Sequence, residues 1–398
     1  MTATPSTTLD TYLQHAGSGS FDPASGAGPV SLPAVRTSTV RFQDLASLER
    51  AQAGKARGER VATYGRVGLD THAALEQVFC QLEGGQRACL APSGLAAISL
   101  ALLALTRQGD HVLATDSVYG PVRYLHRQVL SRYGVGMDFC AGTTEALAGA
   151  LRPTTRVLYT ESPGSLLFEM LDLPALAAFA RDHGLVLVVD NTWGSGYIYQ
   201  PLRLGAHVSV VAGTKYVGGH SDLMLGAVVA NDEALVSAIT DTHYALGLTV
   251  SADDAWLALR GVRTLPLRMQ QAASNALAVC EYLASRAEVT RIFHPAWPDD
   301  PGHALWRRDC TGSNGMLSVA LTLDGAAARR LVDALRLFGI GFSWGGFESL
   351  VQWVEPEALS GHHYWGNEGG SVLRLHIGLE SPDDLIADLA QAFAAAGG

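Results

Sequence analysis

Leu185-Val186-Leu187-Val188-Val189 ends on Asp190 and continues Asn191-Thr192-Trp193-Gly194. A second β-branched run, Val208-Ser209-Val210-Val211, leads through Ala212-Gly213-Thr214 to Lys215. Each run reads as a strand buried on both faces, because a half-exposed strand would alternate apolar with polar residues. A carboxylate and a lysine at the C-terminal ends of two such strands lie where open α/β sheets collect ligands. The distance between them in sequence leaves room for a crossover between neighbouring strands. Pyridoxal phosphate takes this pair, the lysine as Schiff base and the carboxylate on the pyridine nitrogen. An Asp that caps a turn and a surface Lys also fit this stretch alone, so the choice falls to the rest of the chain.

Working outward, βα alternation runs from about residue 87 to 230. A short strand, 87–90, leads through Ala91-Pro92-Ser93-Gly94 into a helix, 95–105, apolar on every side. Strand, small-residue turn and buried helix aim free N–H groups at an anion, or simply make a turn. The spacing matches neither a Walker loop nor a dinucleotide fingerprint, so ATP and NAD are not indicated. A strand at 111–114 precedes Tyr119, which either stacks on a bound ring or anchors its own loop. A helix at 124–133, a strand at 157–161, a helix at 173–183 and a strand at 224–230 complete the pattern. The fold class expected is α/β: a mostly parallel sheet flanked by helices. Upstream, Tyr64-Gly65-Arg66 sits on a glycine-flexed loop able to present a phenol and a guanidinium to a phosphate. The helix after it stops at Glu83-Gly84-Gly85, a C-cap signal.

Residues 1–60 are rich in Ser, Thr, Gly, Ala and Pro. They read as an arm with one polar helix near 44–57, its apolar positions Leu45 and Leu48, ordered against a neighbour or else a disordered tail. Past residue 231 the helices lengthen, and the segments 315–323, 327–338 and 371–378 indicate a smaller mixed domain. The expected division is an arm (1–60), a large domain (61–255) and a C-terminal α+β domain (256–398). Arg374, set in an alternating apolar strand, is costly to bury without an anion. A substrate carboxylate or an internal ion pair would serve.

Composition bounds the class. The chain has 398 residues, 48% hydrophobic and 17% charged, and a net charge of −10. That length calls for two or three domains. Basic residues are scattered without a run of five, which argues against nucleic acid or an anionic membrane as partner. Met1-Thr2-Ala3-Thr4-Pro5 lacks the basic cluster and apolar core of a signal peptide, and the most apolar stretch, 89–106, is broken by Pro92, Ser93 and Gly94, so a cytoplasmic location is expected. The five cysteines fit neither a disulfide framework nor a zinc site, and no metal is expected.

These pieces, in this order, resemble the Cys/Met-metabolism family of pyridoxal-phosphate enzymes, fold type I, from about residue 37 to 395. The motifs that carry the likeness are Tyr64-Gly65-Arg66, Leu82-Glu83-Gly84-Gly85, Glu161-Ser162-Pro163-Gly164, Asp190-Asn191-Thr192-Trp193, Thr214-Lys215 and Gly219-His220-Ser221-Asp222. Ser343-Trp344-Gly345-Gly346 and Gly164-Ser165 resemble the β-lyases more than the γ-enzymes. The resemblance implies a seven-stranded sheet and pyridoxal 5'-phosphate bound to Lys215, which moves the α-proton. Asp190 would hold the ring nitrogen and Tyr119 would stack on the ring. Ser93, Gly94, Leu95 and Thr214 would hold the phosphate. Tyr64 and Arg66 would reach the neighbouring subunit's phosphate and Tyr64 its substrate, in a homotetramer built as a dimer of active dimers. Arg374, with Ser343 and Trp344, would fix the carboxylate of a sulfur amino acid. The implied activity is a carbon–sulfur β-lyase that cleaves L-cystathionine to homocysteine, pyruvate and ammonia, within transsulfuration and methionine biosynthesis. A γ-lyase, a γ-synthase, or a lyase of cysteine, cystine or another S-conjugate is the alternative. One departure is Ala212, where many relatives carry a serine that binds the phosphate.

Overall fold

The computed structural model describes residues 7–366 and 370–397. The reading of Met1–Pro5 lies outside the described residues. Seven strands form the first sheet: β1 (Arg87–Ala91), β2 (His111–Thr115), β3 (Gly136–Cys140), β4 (Thr155–Glu161), β5 (Val186–Asp190), β6 (Val208–Val211) and β7 (Gly226–Ala230). Their spatial order is β1-β7-β6-β5-β4-β2-β3. β6, β5, β4, β2 and β3 pair in parallel, and β7 runs antiparallel to both of its neighbours. The mostly parallel seven-stranded sheet expected from the sequence is therefore present.

Both faces of this sheet are covered, and alternate residues of one strand enter different cores. Leu187 and Val189 of β5 face one cluster with Ala227 and Val229 of β7. Val188 and Val228 face the other, with Val208 and Val210 of β6 and the helix Gly94–Leu105. Burial on both sides explains the continuous apolar runs.

A second sheet holds β8 (Val289–Phe293), β9 (Met316–Leu321), β10 (Gly339–Ile340), β11 (Leu350–Val354) and β12 (Ser371–His376), ordered β10-β11-β12-β9-β8. It is antiparallel apart from the β10–β11 pair. The helices Leu265–Ala284, Gly325–Ala334 and Pro382–Ala396 close a third core over it.

Local departures from expectation have physical reasons. The helix expected at 124–133 is two pieces, Pro121–Gln128 and a 3-10 turn Leu130–Tyr133, broken at Val129, whose φ of −123° and ψ of −67° are not helical. The strand at 224–230 begins at Gly226. The polar helix of the arm spans Leu45–Ala56 with Asp44 as N-cap, and Leu45, expected to face inward, is 75% exposed. The arm before it is tied to its own chain: Arg263 donates to the carbonyls of Ala16 and Gly17 and to Ser31, and Trp256 donates to Leu32 O. Among the described residues, no helix is long and apolar enough to cross a membrane.

Candidate active site

The strand order reverses between β2 and β4, the position where doubly wound sheets open a crevice at their carboxyl ends. Glu161 ends β4 and Asp190 ends β5, and the two are register partners. Asp190 is 5% exposed. Its Oδ1 accepts hydrogen bonds from Thr192 N (2.9 Å) and Thr192 Oγ1 (2.6 Å), while Oδ2 has, among the described residues, only Tyr159 OH at 3.4 Å. Burial pushes the Asp190 carboxyl above its ordinary range, against the Thr192 and Tyr159 hydrogen bonds and the Lys215 charge, which lower it. Glu161 is driven well up by burial and by Asp190 beside it, although Tyr119 N donates to its Oε2 at 2.6 Å.

A third carboxylate lies behind these two. Glu83, fully buried at the end of the helix Asp70–Glu83, accepts both its oxygens' bonds from Asn191 Nδ2 (3.0 and 2.9 Å) and another from Ser209 Oγ (2.7 Å). Burial pushes it up to about 8. The residue after Asp190 is thus anchored to a distant helix.

Lys215 lies just past β6. Burial first and the Arg374 charge second push its amine down to about 8, with Asp190 opposing. Its Nζ donates to Ser343 Oγ at 2.6 Å and lies 5.5 Å from the Trp344 ring centroid. Ser343 is a non-glycine residue in the left-handed region, φ 86°, a conformation that clusters at functional sites. Arg374 on β12 donates to Ser343 O at 3.2 Å, and burial pushes its guanidinium down to about 10. Its nearest charge effect is from Tyr119, whose phenol is raised by burial, Glu161 and Asp190. The internal ion pair considered for Arg374 does not occur among the described residues; its partner is a backbone carbonyl. Glu161, Gly164, Phe168, Trp193, Trp344 and Arg374 are among the residues that line the opening beside this group.

Ser93 caps the helix Gly94–Leu105, its Oγ accepting from Ala96 N at 3.1 Å. The N–H groups of Gly94 and Leu95 fall in the first turn, where a helix offers no internal acceptor. A Cβ at Gly94 would come within 2.6 Å of the Ala212 Cβ, so this helix start is pressed against the end of β6. The Thr214 hydroxyl, expected on the phosphate, donates to Leu225 O (3.1 Å) and accepts from Leu225 N (2.9 Å). Holding an anion there requires its proton to turn away from Leu225.

The contacts of Tyr64 and Arg66 lie elsewhere. Tyr64 is 47% exposed, and Arg66 donates to Tyr244 O at 2.9 Å with its guanidinium over the Tyr244 ring. Sequence reasoning assigned no role to Glu161, Trp193, Thr192 or Glu83, although their motifs were in view. Nor did it assign one to Tyr159, inside an ordinary β-branched strand. Burial of polar groups was the missing signal, and periodicity does not carry it.

The model of the Cys/Met metabolism PLP-dependent enzymes matches residues 10–394. The chain belongs to that family. Pyridoxal 5'-phosphate is its cofactor. A cystathionine beta-lyase of Bordetella avium is 64% identical over 392 residues, covering 98% of this chain and 99% of that protein. Cystathionine beta-lyase MetC of Escherichia coli (strain K12) is 38% identical over 397 residues, covering 97% and 98%. Among solved structures, cystathionine gamma synthase from Xanthomonas oryzae pv. oryzae in complex with cystathionine superposes with a TM-score of 0.89 at 32% identity, covering 98% of this chain and 99% of that one.

The residues present fit the cofactor. Asp190 keeps one oxygen nearly free for a pyridinium N–H, Lys215 presents a buried amine, and the helix start at Gly94 offers N–H groups suited to a phosphate.

Proposed function

We propose that the chain is a carbon–sulfur β-lyase that cleaves L-cystathionine to homocysteine, pyruvate and ammonia by β-elimination. One observation carries the reading: a buried amine, Lys215 Nζ, lies 2.6 Å from the hydroxyl of a residue whose carbonyl Arg374 holds. Proton abstraction next to a carboxylate requires a base near a carboxylate-binding cation, and this chain of contacts supports those roles for Lys215 and Arg374. The reading is supported by the 64% identity to a cystathionine beta-lyase over nearly the whole of both chains.

When bound, pyridoxal phosphate supplies an electron sink for the pair released as the α-proton leaves. Every other contribution belongs to the chain. Lys215 carries the cofactor, and its depressed basicity leaves a much larger neutral fraction near neutral pH than an ordinary lysine has, available to take the α-proton. Asp190 keeps the ring nitrogen protonated, and Thr192 and Tyr159 hold its carboxylate in place. Tyr119, on the loop after β2, stacks on the ring, its backbone fixed by Glu161. Ser93, Gly94, Leu95 and Thr214 hold the phosphate. Arg374 pairs with the substrate carboxylate through a bidentate fork. Ser343 holds Lys215 Nζ until substrate arrives, and Trp344 shields the reacting carbon from water. The β-carbon–sulfur bond then breaks with its electron pair going to sulfur, Lys215 passes on the proton it took so that sulfur leaves as the homocysteine thiol, and water hydrolyses the three-carbon fragment to pyruvate and ammonia.

Tyr64, exposed, and Arg66, engaged with Tyr244, complete the neighbouring subunit's site, and Tyr64 also meets its substrate. We infer from this a cytoplasmic homotetramer, a dimer of active dimers, with an arm (1–60), a large domain (61–255) and a small domain (256–398). A place in transsulfuration toward methionine follows from the products.

The test is product analysis of the cofactor-loaded protein with L-cystathionine beside a Lys215→Ala control. Pyruvate and homocysteine in equal amounts, lost in the control, are expected. 2-Oxobutyrate and cysteine would move the enzyme to the γ-class. No turnover of cystathionine would point to cysteine, cystine or another S-conjugate.

A further inference from the structure

Ser343 and Trp344 belong to the segment 341–349, which joins β10 to β11 and carries two exposed apolar side chains, Phe342 and Phe347. Within it Trp344 packs against the main core, and its far end is bonded beyond β12 by Leu379 N to Phe347 O at 2.8 Å and by Ser349 to Glu380. The segment keeps the Ser343 hydroxyl 2.6 Å from Lys215 Nζ, in a backbone conformation that a serine rarely adopts. Something must hold it there.

His376 does so from β12. It shares a face of that strand with Arg374, two residues before it. The side chain is 1% exposed. Its Nε2 accepts from Gly345 N at 3.0 Å, and its Nδ1 lies 2.9 Å from Glu348 O. A backbone N–H can only donate and a carbonyl can only accept, so the ring carries its one proton on Nδ1. The imidazole thus bonds the segment on both sides of its turn. Gly345 in turn is pressed on the lysine: at φ 85°, a Cβ there would meet Tyr216 N at 2.8 Å and Lys215 C at 2.9 Å. The Tyr216 ring completes the contact, 5.6 Å from Trp344 and 6.0 Å from His376 between centroids. Beyond the turn, Ser221 Oγ donates to Glu348 Oε1 at 2.5 Å.

We propose that His376, neutral and protonated on Nδ1, is a positioning residue that staples Gly345 and Glu348 so that Ser343 and Trp344 stay in register with Lys215. The inference rests on the reading of Lys215 as the reacting amine. His376 bonds Gly345 and Glu348, and acts through Gly345 on the backbone of Lys215 and through the segment on the Ser343 hydroxyl. The strand that supplies Arg374 therefore sets the lysine's partner as well as the carboxylate's.

The test uses three variants purified with pyridoxal phosphate bound. Each is assayed for kcat and KM on L-cystathionine and for the pH midpoint of the cofactor's visible band. His376→Gln places an amide oxygen near Nε2, able to accept from Gly345; His376→Asn places an amide donor near Nδ1, able to serve Glu348 only; His376→Leu keeps neither. Since misplacing a reacting group by about 1 Å costs about 100-fold, we expect His376→Leu to lose roughly 100-fold in kcat and His376→Asn at least about tenfold, with His376→Gln within about threefold of wild type. The band's midpoint should move in the Asn and Leu variants and stay in the Gln variant. Equal kcat in the Gln and Asn variants, or a fall in kcat with the wild-type midpoint, would overturn the proposal, and this pair decides even if His376→Leu fails to fold. A wild-type chain that loads cofactor but releases no pyruvate defeats the proposed reaction instead, and the midpoints of the Gln and Asn variants then decide the role of His376.

Discussion

Asp190 and Lys215 reach the site from one construction, and Ser343, Trp344 and Arg374 from another. The first pair ends or follows strands buried on both faces, with Asp190 locked by Thr192 and its neighbour Asn191 bonded to Glu83. Their positions follow from a close-packed core that tolerates little displacement. The second group comes from the smaller sheet, where only Arg374 sits within a strand; Ser343 and Trp344 ride on a connecting segment. On the proposed reading the chemistry falls to side chains at the ends of buried strands, and recognition of the substrate in good part to a connecting segment tied by hydrogen bonds to β12. Cleavage and binding should separate accordingly under mutation.

The largest effect is expected on the rigid side. Lys215→Ala removes base and cofactor anchor together and should lower kcat by about 10⁴-fold, since general-base catalysis alone contributes up to about that factor. Single-turnover measurements check it. A loss as small as that from changing Ser343 would erase the distinction between the halves.

Arg374→Leu should mainly raise KM, by about 100-fold, the loss of a charge-assisted bidentate pair of about 3 kcal/mol. It also gives a signed pH prediction. With the neutral amine of Lys215 as the proposed base, the rate should rise as pH climbs through about 8. Removing the Arg374 cation favours the ammonium form, so this limb must move to higher pH. A pH–rate profile decides; a shift to lower pH would show that Arg374 does not act on Lys215.

Ser343→Ala removes one acceptor from Lys215 Nζ. A hydrogen bond to a charged group of about 1.5 kcal/mol implies a fall in kcat of about tenfold with KM nearly unchanged. Steady-state kinetics on one protein preparation would read both.

The smallest effect on catalysis belongs to Glu83, beneath the rigid half. Its folded-state value of about 8 is above the 4.5 of an unperturbed Glu, so the folded chain holds its proton more tightly than the unfolded one. That contribution is fully present below pH 4.5 and is lost as pH rises through about 8. Glu83→Gln should flatten this part of the stability curve, measured by urea unfolding at pH 5 and pH 8. A slope that survives the change would assign it to Glu161 or Asp190, both also raised by burial.

Much of the rigid half was legible in the chain itself. Continuous β-branched runs mark strands buried on both faces, and the sheet order places their C-terminal ends, with Asp190 and Lys215, on one rim. The edge strand Gly136–Cys140 escaped notice because it is half exposed and short, with a glycine and an aspartate that blur alternation. Thr214 illustrates a different limit. Its place beside the lysine was apparent, yet whether its hydroxyl faces a ligand or Leu225 depends on where β7 approaches.

Residue order by itself determined the class of fold and the family, and singled out Asp190 and Lys215 as the candidate cofactor pair, because these rest on local patterns of burial and on motifs of a few adjacent residues. Only the tertiary structure decided that Ser343, far along the chain, meets Lys215; that Arg374 donates to a backbone carbonyl and not to a carboxylate; and that His376 bonds Gly345 and Glu348. The first of those contacts joins the two sheets and the other two tie a strand of the second sheet to the connection between two others; all three bring together residues far apart in the chain, which no periodicity within either segment records.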